Sequence, residues 1–181
     1  MSTSSNLVSQ HRNSKIHRGT NLACPFCKTT FVTASGVIHH LESSACPKAP
    51  SLNRETILRM VQRSDPQGII ANKMIEGPQQ TDVRYQVTSR AFNGTHWECY
   101  ICHKRFNASS SLNMHLNSPA HQQKVYHCPN RKNCSKEFVT LAGLFNHLES
   151  ESCGAMRFER VQQVQKTLID AAMNRRVITY L

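Results

Sequence analysis

All eight cysteines of this 181-residue chain, together with four of its ten histidines, fall into three groups of four. The first group is Cys24, Cys27, His40 and Cys46, spaced Cys-x2-Cys-x12-His-x5-Cys. The second, Cys99, Cys102, His115 and His121, is spaced Cys-x2-Cys-x12-His-x5-His. The third, Cys128, Cys134, His147 and Cys153, opens with a wider x5 interval and then keeps the same x12 and x5. Four thiolate or imidazole donors with no fifth ligand make the donor set of a closed, structural zinc site, so three Zn2+ ions are expected. This pattern limits the fold severely, because each ligand group is too short to fold around an apolar core alone and needs the metal to hold it.

A secreted disulfide framework would place no histidines at fixed offsets, and Met1 to Leu22 has no apolar core of signal-peptide length. Reduced thiolates fit the nucleus or cytosol. The remaining histidines, His11, His17, His39, His96, His103 and His127, are not expected to bind metal. His39 adjoins His40, but the x12 interval selects His40.

A second pattern lies between the ligands. After three intervening residues beyond the second cysteine comes Phe31, Phe106 or Phe138; six positions on comes Val37, Leu112 or Leu144, and three more reach the histidine. Leu22, Trp97 or Tyr126 stands two residues before each first cysteine. This framework resembles the ββα zinc finger, in which a hairpin carries the cysteines, an aromatic and an aliphatic residue form the core, and a helix presents the histidine. The resemblance implies a small metal-stabilised α+β fold: a string of three ββα fingers with a helical linker, a C-terminal helix and no large shared core. The expected divisions are a disordered basic N-terminus (1–21), finger 1 (22–46), a helical linker (47–95), finger 2 (96–121), finger 3 (126–153) and a C-terminal amphipathic helix (154–181).

The formal charge is +11. Eight thiolates and three Zn2+ lower that by about 2, leaving a basic chain suited to a polyanionic partner. The charge is uneven. Finger 1 balances Lys28 against Glu42, and finger 3 balances Arg131, Lys132 and Lys136 against Glu137, Glu149 and Glu151. Finger 2 sets Lys104 and Arg105 against Glu98. The remaining excess sits in flanks that include Arg12, Lys15, Arg18, Arg54, Arg59, Arg63, Arg157, Arg160, Arg175 and Arg176.

The slots from which a finger helix reads bases are Thr33, Gly36 and His39 in finger 1, Ala108, Ser111 and Met114 in finger 2, and Thr140, Gly143 and Asn146 in finger 3. Only Asn146 is a standard base-edge reader, and fingers 1 and 2 are too far apart in sequence for rigid three-base-pair registration. After each histidine, x5 also requires the helix to open, because six residues of unbroken helix would turn the last ligand away from the first. Pro119 is expected to open it in finger 2, and Ser43-Ser44 and Ser150-Glu151-Ser152 in fingers 1 and 3.

With Ser110, Ser111, Asn113 and Asn117 on its helix, finger 2 looks like the matrin and double-stranded-RNA-binding class, which implies contacts to phosphates and 2′-hydroxyls. Fingers 1 and 3 share Phe-Val-Thr-x-x-Gly and His-Leu-Glu-Ser, the mark of an internal duplication. Each is followed by a helical stretch. In 158–173, Phe158, Val161, Val164, Leu168, Ile169 and Ala172 form one face; in 53–63, Ile57, Met60 and Val61 do. These faces are expected to pack on their own fingers, the alternative being a partner-binding surface. Asp65-Pro66 offers a stop and a second helix start toward Met74.

From about Cys24 to Val161 the chain resembles the three-finger Cys2His2-type proteins of filamentous fungi, with the same Cys2HisCys, Cys2His2, Cys2HisCys order. That resemblance implies zinc binding and a nuclear role, and names no target. The expectation is a zinc-binding, nuclear, regulatory nucleic-acid-binding protein, RNA or DNA being left open. The alternative is a protein-interaction adaptor using the Cys2HisCys fingers and the C-terminal helix. No catalytic constellation, transmembrane run or small-molecule site is evident.

Overall fold

The computed structural model describes residues 22–72 and 85–178, with side chains as far as Asp170. The expectations for 1–21 and for the side chains of Ala172, Arg175 and Arg176 fall on residues outside these limits; the helix expected from Pro66 toward Met74 is not formed over 66–72, which make a turn and a bridge to Tyr126 instead.

The hairpin β1 (Leu22–Ala23) and β2 (Thr30–Phe31) precedes helix α1 (Ala34–Glu42), and α2 (Arg54–Ser64) follows. Next come β3 (Trp97–Glu98), β4 (Arg105–Phe106) and α3 (Ser109–Leu116), then β5 (Tyr126–His127), β6 (Glu137–Phe138) and α4 (Leu141–Glu149), and last α5 (Phe158–Ile178). Each hairpin is antiparallel, pairing Leu22 with Phe31, Trp97 with Phe106 and Tyr126 with Phe138. The residue two positions before the first cysteine thus lies opposite the core phenylalanine, and the helix lays Val37, Leu112 or Leu144, all fully buried, beneath them. This is the ββα arrangement three times over.

The chain divides into two compact units, 1–73 with 124–181, and 74–123. In the first, fingers 1 and 3 share one core, which differs from the expectation of a bead-like string. The reason is a second apolar stripe on each helix. Ala34, Ile38 and Leu41 recur at i, i+4 and i+7 on α1, and Leu141, Phe145 and Leu148 repeat them on α4. All six are buried in one cluster with Cys24, Cys46 and Cys128, and α1 lies against α4.

The end of α1 meets the start of α4 and the reverse, so the helices run antiparallel. Glu42 accepts from the N–H groups of Leu141 (2.8 Å) and Ala142 (2.9 Å). Glu149 accepts from the N–H groups of Ala34 (2.6 Å) and Ser35 (3.3 Å) and from the Ser35 hydroxyl (2.5 Å). A helix leaves its first N–H groups unsatisfied. Here Thr33 and Thr140 cap only the third position, through Gly36 and Gly143, and the other finger's glutamate supplies the first two. Both glutamates come from the repeated His-Leu-Glu-Ser. At 36 and 143 a Cβ would stand 3.2 or 3.1 Å from the capping threonine oxygen, so any larger residue would press on the cap and glycine leaves it undisturbed.

The flanking segments complete this unit. α2 starts with a capping box between Asn53 and Thr56, buries Ile57 and Val61, and sends Arg54 Nε to the Val139 carbonyl at 2.8 Å. Pro66 leads into a turn in which the Asp65 carboxylate accepts from the N–H groups of Ile69, Ile70 and Ala71. That turn lays 70–72 along the third hairpin, with His127 N–H bonding to the Ile70 carbonyl and Asn72 N–H to the Val125 carbonyl. α5 buries Phe158 and Val161 and packs on α1, α2 and α4. Its Gln162 amide donates to Glu149 at 2.6 Å, so the last helix also supports the clasp between the fingers.

The second unit is finger 2 with the segment before it. Cys99, Leu112 and Leu116 are its buried core, and Val87, Ala91, Trp97 and Phe106 pack around them.

Candidate metal centres

In every finger the turn between the cysteines is closed by the same pair of backbone bonds or a widened form of it. Cys24 N–H bonds to the Thr29 carbonyl and Lys28 N–H to the Cys24 carbonyl; Cys99 N–H bonds to Lys104 and His103 N–H to Cys99. Lys28 and His103 take positive φ, 65° and 58°, to make this reversal. In finger 3 the longer Cys-x5-Cys loop is closed by Cys134 N–H on Asn130, whose side-chain amide donates to the Cys153 carbonyl.

The x5 interval is solved in two ways. After α1, Ser44 stands at φ 56°, with its N–H on Leu41 and the Ala45 N–H on His40, a Schellman termination that returns Cys46 to the site. After α4, Glu151 takes φ 52° with its N–H on the Leu148 carbonyl, while Ser152 N–H turns to the Ser150 hydroxyl. In finger 2, Pro119 starts a separate 3-10 turn, Pro119–His121, that brings His121 back. The breaks lie where the sequence placed them.

Each group converges: its four ligand atoms lie within 4.8 Å of one another. A zinc tetrahedron with Zn–S bonds near 2.3 Å and Zn–N bonds near 2.0 Å has edges of about 3.8 Å between sulfurs and about 3.3 Å between nitrogens. The sulfurs of Cys24 and Cys46 are 3.8 Å apart, and those of Cys128 and Cys153 are 3.5 Å apart. Sulfur to imidazole Nε2 is 3.3 Å for Cys27–His40, 3.4 Å for Cys99–His121, 3.3 Å for Cys102–His115 and 3.5 Å for Cys134–His147. The two imidazole nitrogens of finger 2 are 3.0 Å apart. These three sites are compatible with Zn2+, and His40, His115 and His147 are held facing them by Phe31, Phe106 and Phe138, with ring centroids 5.2, 4.9 and 5.2 Å apart.

The thiols of a site differ in character. Burial pushes Cys24 up and Cys128 up to about 12. The Thr29 hydroxyl and N–H lower Cys27 to about 6, and the Lys136 N–H lowers Cys134. Burial lowers both His115 and His147, favouring the neutral imidazole that a metal takes. In fingers 1 and 3 the outer cysteine, Cys27 or Cys134, is thus the easier thiol to ionise, and a bound Zn2+ would hold the cysteines of its site as thiolates.

Outside the metal sites, the positions that finger helices use on nucleic acid divide sharply. In fingers 1 and 3 the slots Thr33, Gly36, Thr140 and Gly143 are the caps described above, and the adjacent helix starts are covered by the opposing glutamates. His39 and Asn146 remain exposed. In finger 2, Asn113 and Asn117 occupy the places that Ile38 and Glu42 hold in finger 1. They bind the finger's own leading segment: Tyr85 N–H donates to Asn117 Oδ1, the Asn117 amide returns to the Tyr85 carbonyl, and Val87 N–H donates to Asn113 Oδ1. The resemblance of finger 2 to RNA-binding fingers implies that these asparagines contact phosphates or 2′-hydroxyls, whereas here they hold 85–87, and Glu42 and Glu149, expected as balancing charges, join fingers 1 and 3. The signal for the glutamates was present, as a Thr-x-x-Gly cap followed by a glutamate at the end of each helix in fingers 1 and 3 and neither feature in finger 2.

A family model described as a zinc-finger of C2H2 type matches residues 97–121. The match runs from Trp97 to His121, the span of finger 2. No curated protein and no solved structure matches the chain. Among the described residues no helix is long and apolar enough to cross a membrane.

Proposed function

We propose that the chain is a zinc-stabilised nucleic-acid-binding protein of the nucleus, regulatory rather than enzymatic, with finger 2 and the basic flanks as its contact surface and the twelve cysteines and histidines of the three groups as its zinc ligands. The observation that carries this reading is the division of labour between the two units. Fingers 1 and 3 use their helix starts on each other, a structural role, whereas finger 2 and the segment before it expose Tyr85, Phe92, Tyr100, Ile101 and Met114, leaving Ile69 as the one other exposed large apolar side chain among the described residues. Finger 2 from Tyr85 to Gln123 also sets Arg90, Lys104 and Arg105 against the single acid Glu98. Aromatic and cationic side chains on one small module are the composition of a nucleic-acid surface. The likeness to the fungal three-finger proteins, in the order of the fingers and in His-Leu-Glu-Ser, supports the nuclear assignment.

The adaptor reading is weakened, because the helix it would use buries Phe158 and Val161 against fingers 1 and 3. The test is titration of the zinc-loaded chain with random duplex DNA, duplex RNA and single strands over a salt series. Binding should fall steeply with salt and discriminate weakly between sequences, since charge supplies it and base-edge readers are few. One DNA motif bound a thousand-fold above competitors would refute the reading.

A further inference from the structure

Resting on the nucleic-acid reading above, we propose that the ligand of finger 2 is single-stranded nucleic acid, bound on the turn between Cys99 and Cys102 by a base stacked on Tyr100, with Lys104 and Arg105 on the flanking phosphates. The turn is held from within. Cys99 N–H bonds to the Lys104 carbonyl at 2.9 Å and His103 N–H to the Cys99 carbonyl at 2.8 Å, so Tyr100 and Ile101 are carried at its tip. Tyr100 is 62% exposed and Ile101 47%. In finger 1 Phe26, the counterpart of Ile101, packs on the core shared with finger 3, and Pro25 stands where finger 2 has Tyr100; Tyr100 and Ile101 belong to no core cluster.

The cations adjoin this tip. Lys104 follows it directly with its Nζ 5.8 Å from the Phe106 ring, and the Arg105 side chain is 67% exposed. Glu98 reaches His103 at 3.1 Å and Arg105 at 3.7 Å, which steadies the strand pair beside the turn and leaves Lys104 unopposed by it.

The choice of a single strand follows from what the two surfaces of finger 2 offer. Its helix slots, Ala108, Ser111 and Met114, carry no bidentate base-edge reader, and Asn113 and Asn117 are bonded to 85–87. A tyrosine at the tip of a turn, by contrast, can stack only on a base that is free of its own duplex stack. Its π-face accepts any base, so the site should be tolerant of sequence and the phosphates should add salt dependence.

The test uses the full zinc-loaded chain and a labelled mixed-sequence 12-nucleotide RNA, alone and annealed to its complement, followed by fluorescence anisotropy between 50 and 200 mM salt. The single strand should bind at least about tenfold more tightly than the duplex. Tyr100→Ala should weaken single-strand binding by about tenfold or more, with all three zinc ions retained by native mass spectrometry, and Tyr100→Phe should preserve it. Lys104→Gln with Arg105→Gln should flatten the salt slope by about 0.7 for each charge removed. Equal affinity for duplex and single strand, or an unchanged Tyr100→Ala variant, would overturn this inference and leave the broader nucleic-acid reading standing. Binding of neither form of the RNA at 50 mM salt, with single-stranded and duplex DNA of the same sequence also unbound, would overturn both.

Discussion

Replacing Glu149 by Ala should separate the roles of metal and clasp in fingers 1 and 3. The carboxylate receives the Ala34 N–H at 2.6 Å, the Ser35 N–H and hydroxyl, and the Gln162 amide, and it stands at the N-terminus of α1. Ala34 is fully buried, so its N–H would be left without an acceptor, at a cost of about 1–3 kcal/mol. Loss of a negative charge from a partly buried helix start adds about 0.3–2 kcal/mol. Ser35 is half-buried and can turn to water, so it adds little, and the expected total is about 1–5 kcal/mol. Glu149→Gln keeps one acceptor oxygen and loses the charge, so it should cost less, about 0.3–2 kcal/mol. The assay is denaturant unfolding of the zinc-loaded chain, with amide exchange at Ala34 as the local probe and zinc stoichiometry as the control. Neither glutamate is a ligand, so three zinc ions should remain in the folded variant while Ala34 exchange accelerates. The same measurement on Glu42→Ala and on the pair should give a sum smaller than the two singles together, because either change already frees α1 from α4. A loss below about 0.5 kcal/mol for Glu149→Ala, or unchanged exchange at Ala34, would refute the clasp.

Three further outcomes are expected. A chelator should strip three zinc ions and most secondary structure from the chain; His115→Ala should lose only the zinc of finger 2, whereas His40→Ala should weaken zinc retention in finger 3 as well, measured by competition with a colorimetric chelator, because the two sites share a core. Val161→Asp with Leu168→Asp should place charge against that same core, destabilising fingers 1 and 3 by about 3–5 kcal/mol and loosening their metal while finger 2 keeps its own; full zinc retention would show that α5 is a detachable docking helix. Asn113→Ala with Asn117→Ala should release the 85–87 segment, read as faster amide exchange at Tyr85 and Val87, with a stability loss of about 1–2 kcal/mol confined to the second unit.

The metal sites and the individual fingers were written in short-range intervals. Cys-x2-Cys, x12 and x5 place four donors around one point whatever lies elsewhere in the chain, and the Phe31, Val37, His40 series fixes its own hairpin–helix packing because every partner is within about two turns of helix or one hairpin. Helix faces such as Ile57 with Val61, and Phe158 with Val161, were visible for the same reason. What those intervals could not state was which finger lies against which. Ile38, Leu41, Phe145 and Leu148 announce only that something must cover them, and that cover comes from more than a hundred residues away. Glu42 and Glu149 read in sequence as surface charges at helix ends; their bonds to Leu141, Ala142, Ala34 and Ser35 exist only once α1 and α4 run antiparallel. Asn113 and Asn117 are the same case in reverse, polar residues on a helix whose acceptors and donors were already assigned to a neighbouring segment of the chain. A residue's spacing determines which side of its own helix it occupies, but the energy of a buried carboxylate or a half-covered apolar stripe is decided by the element that packs against it, and that element is set by tertiary structure.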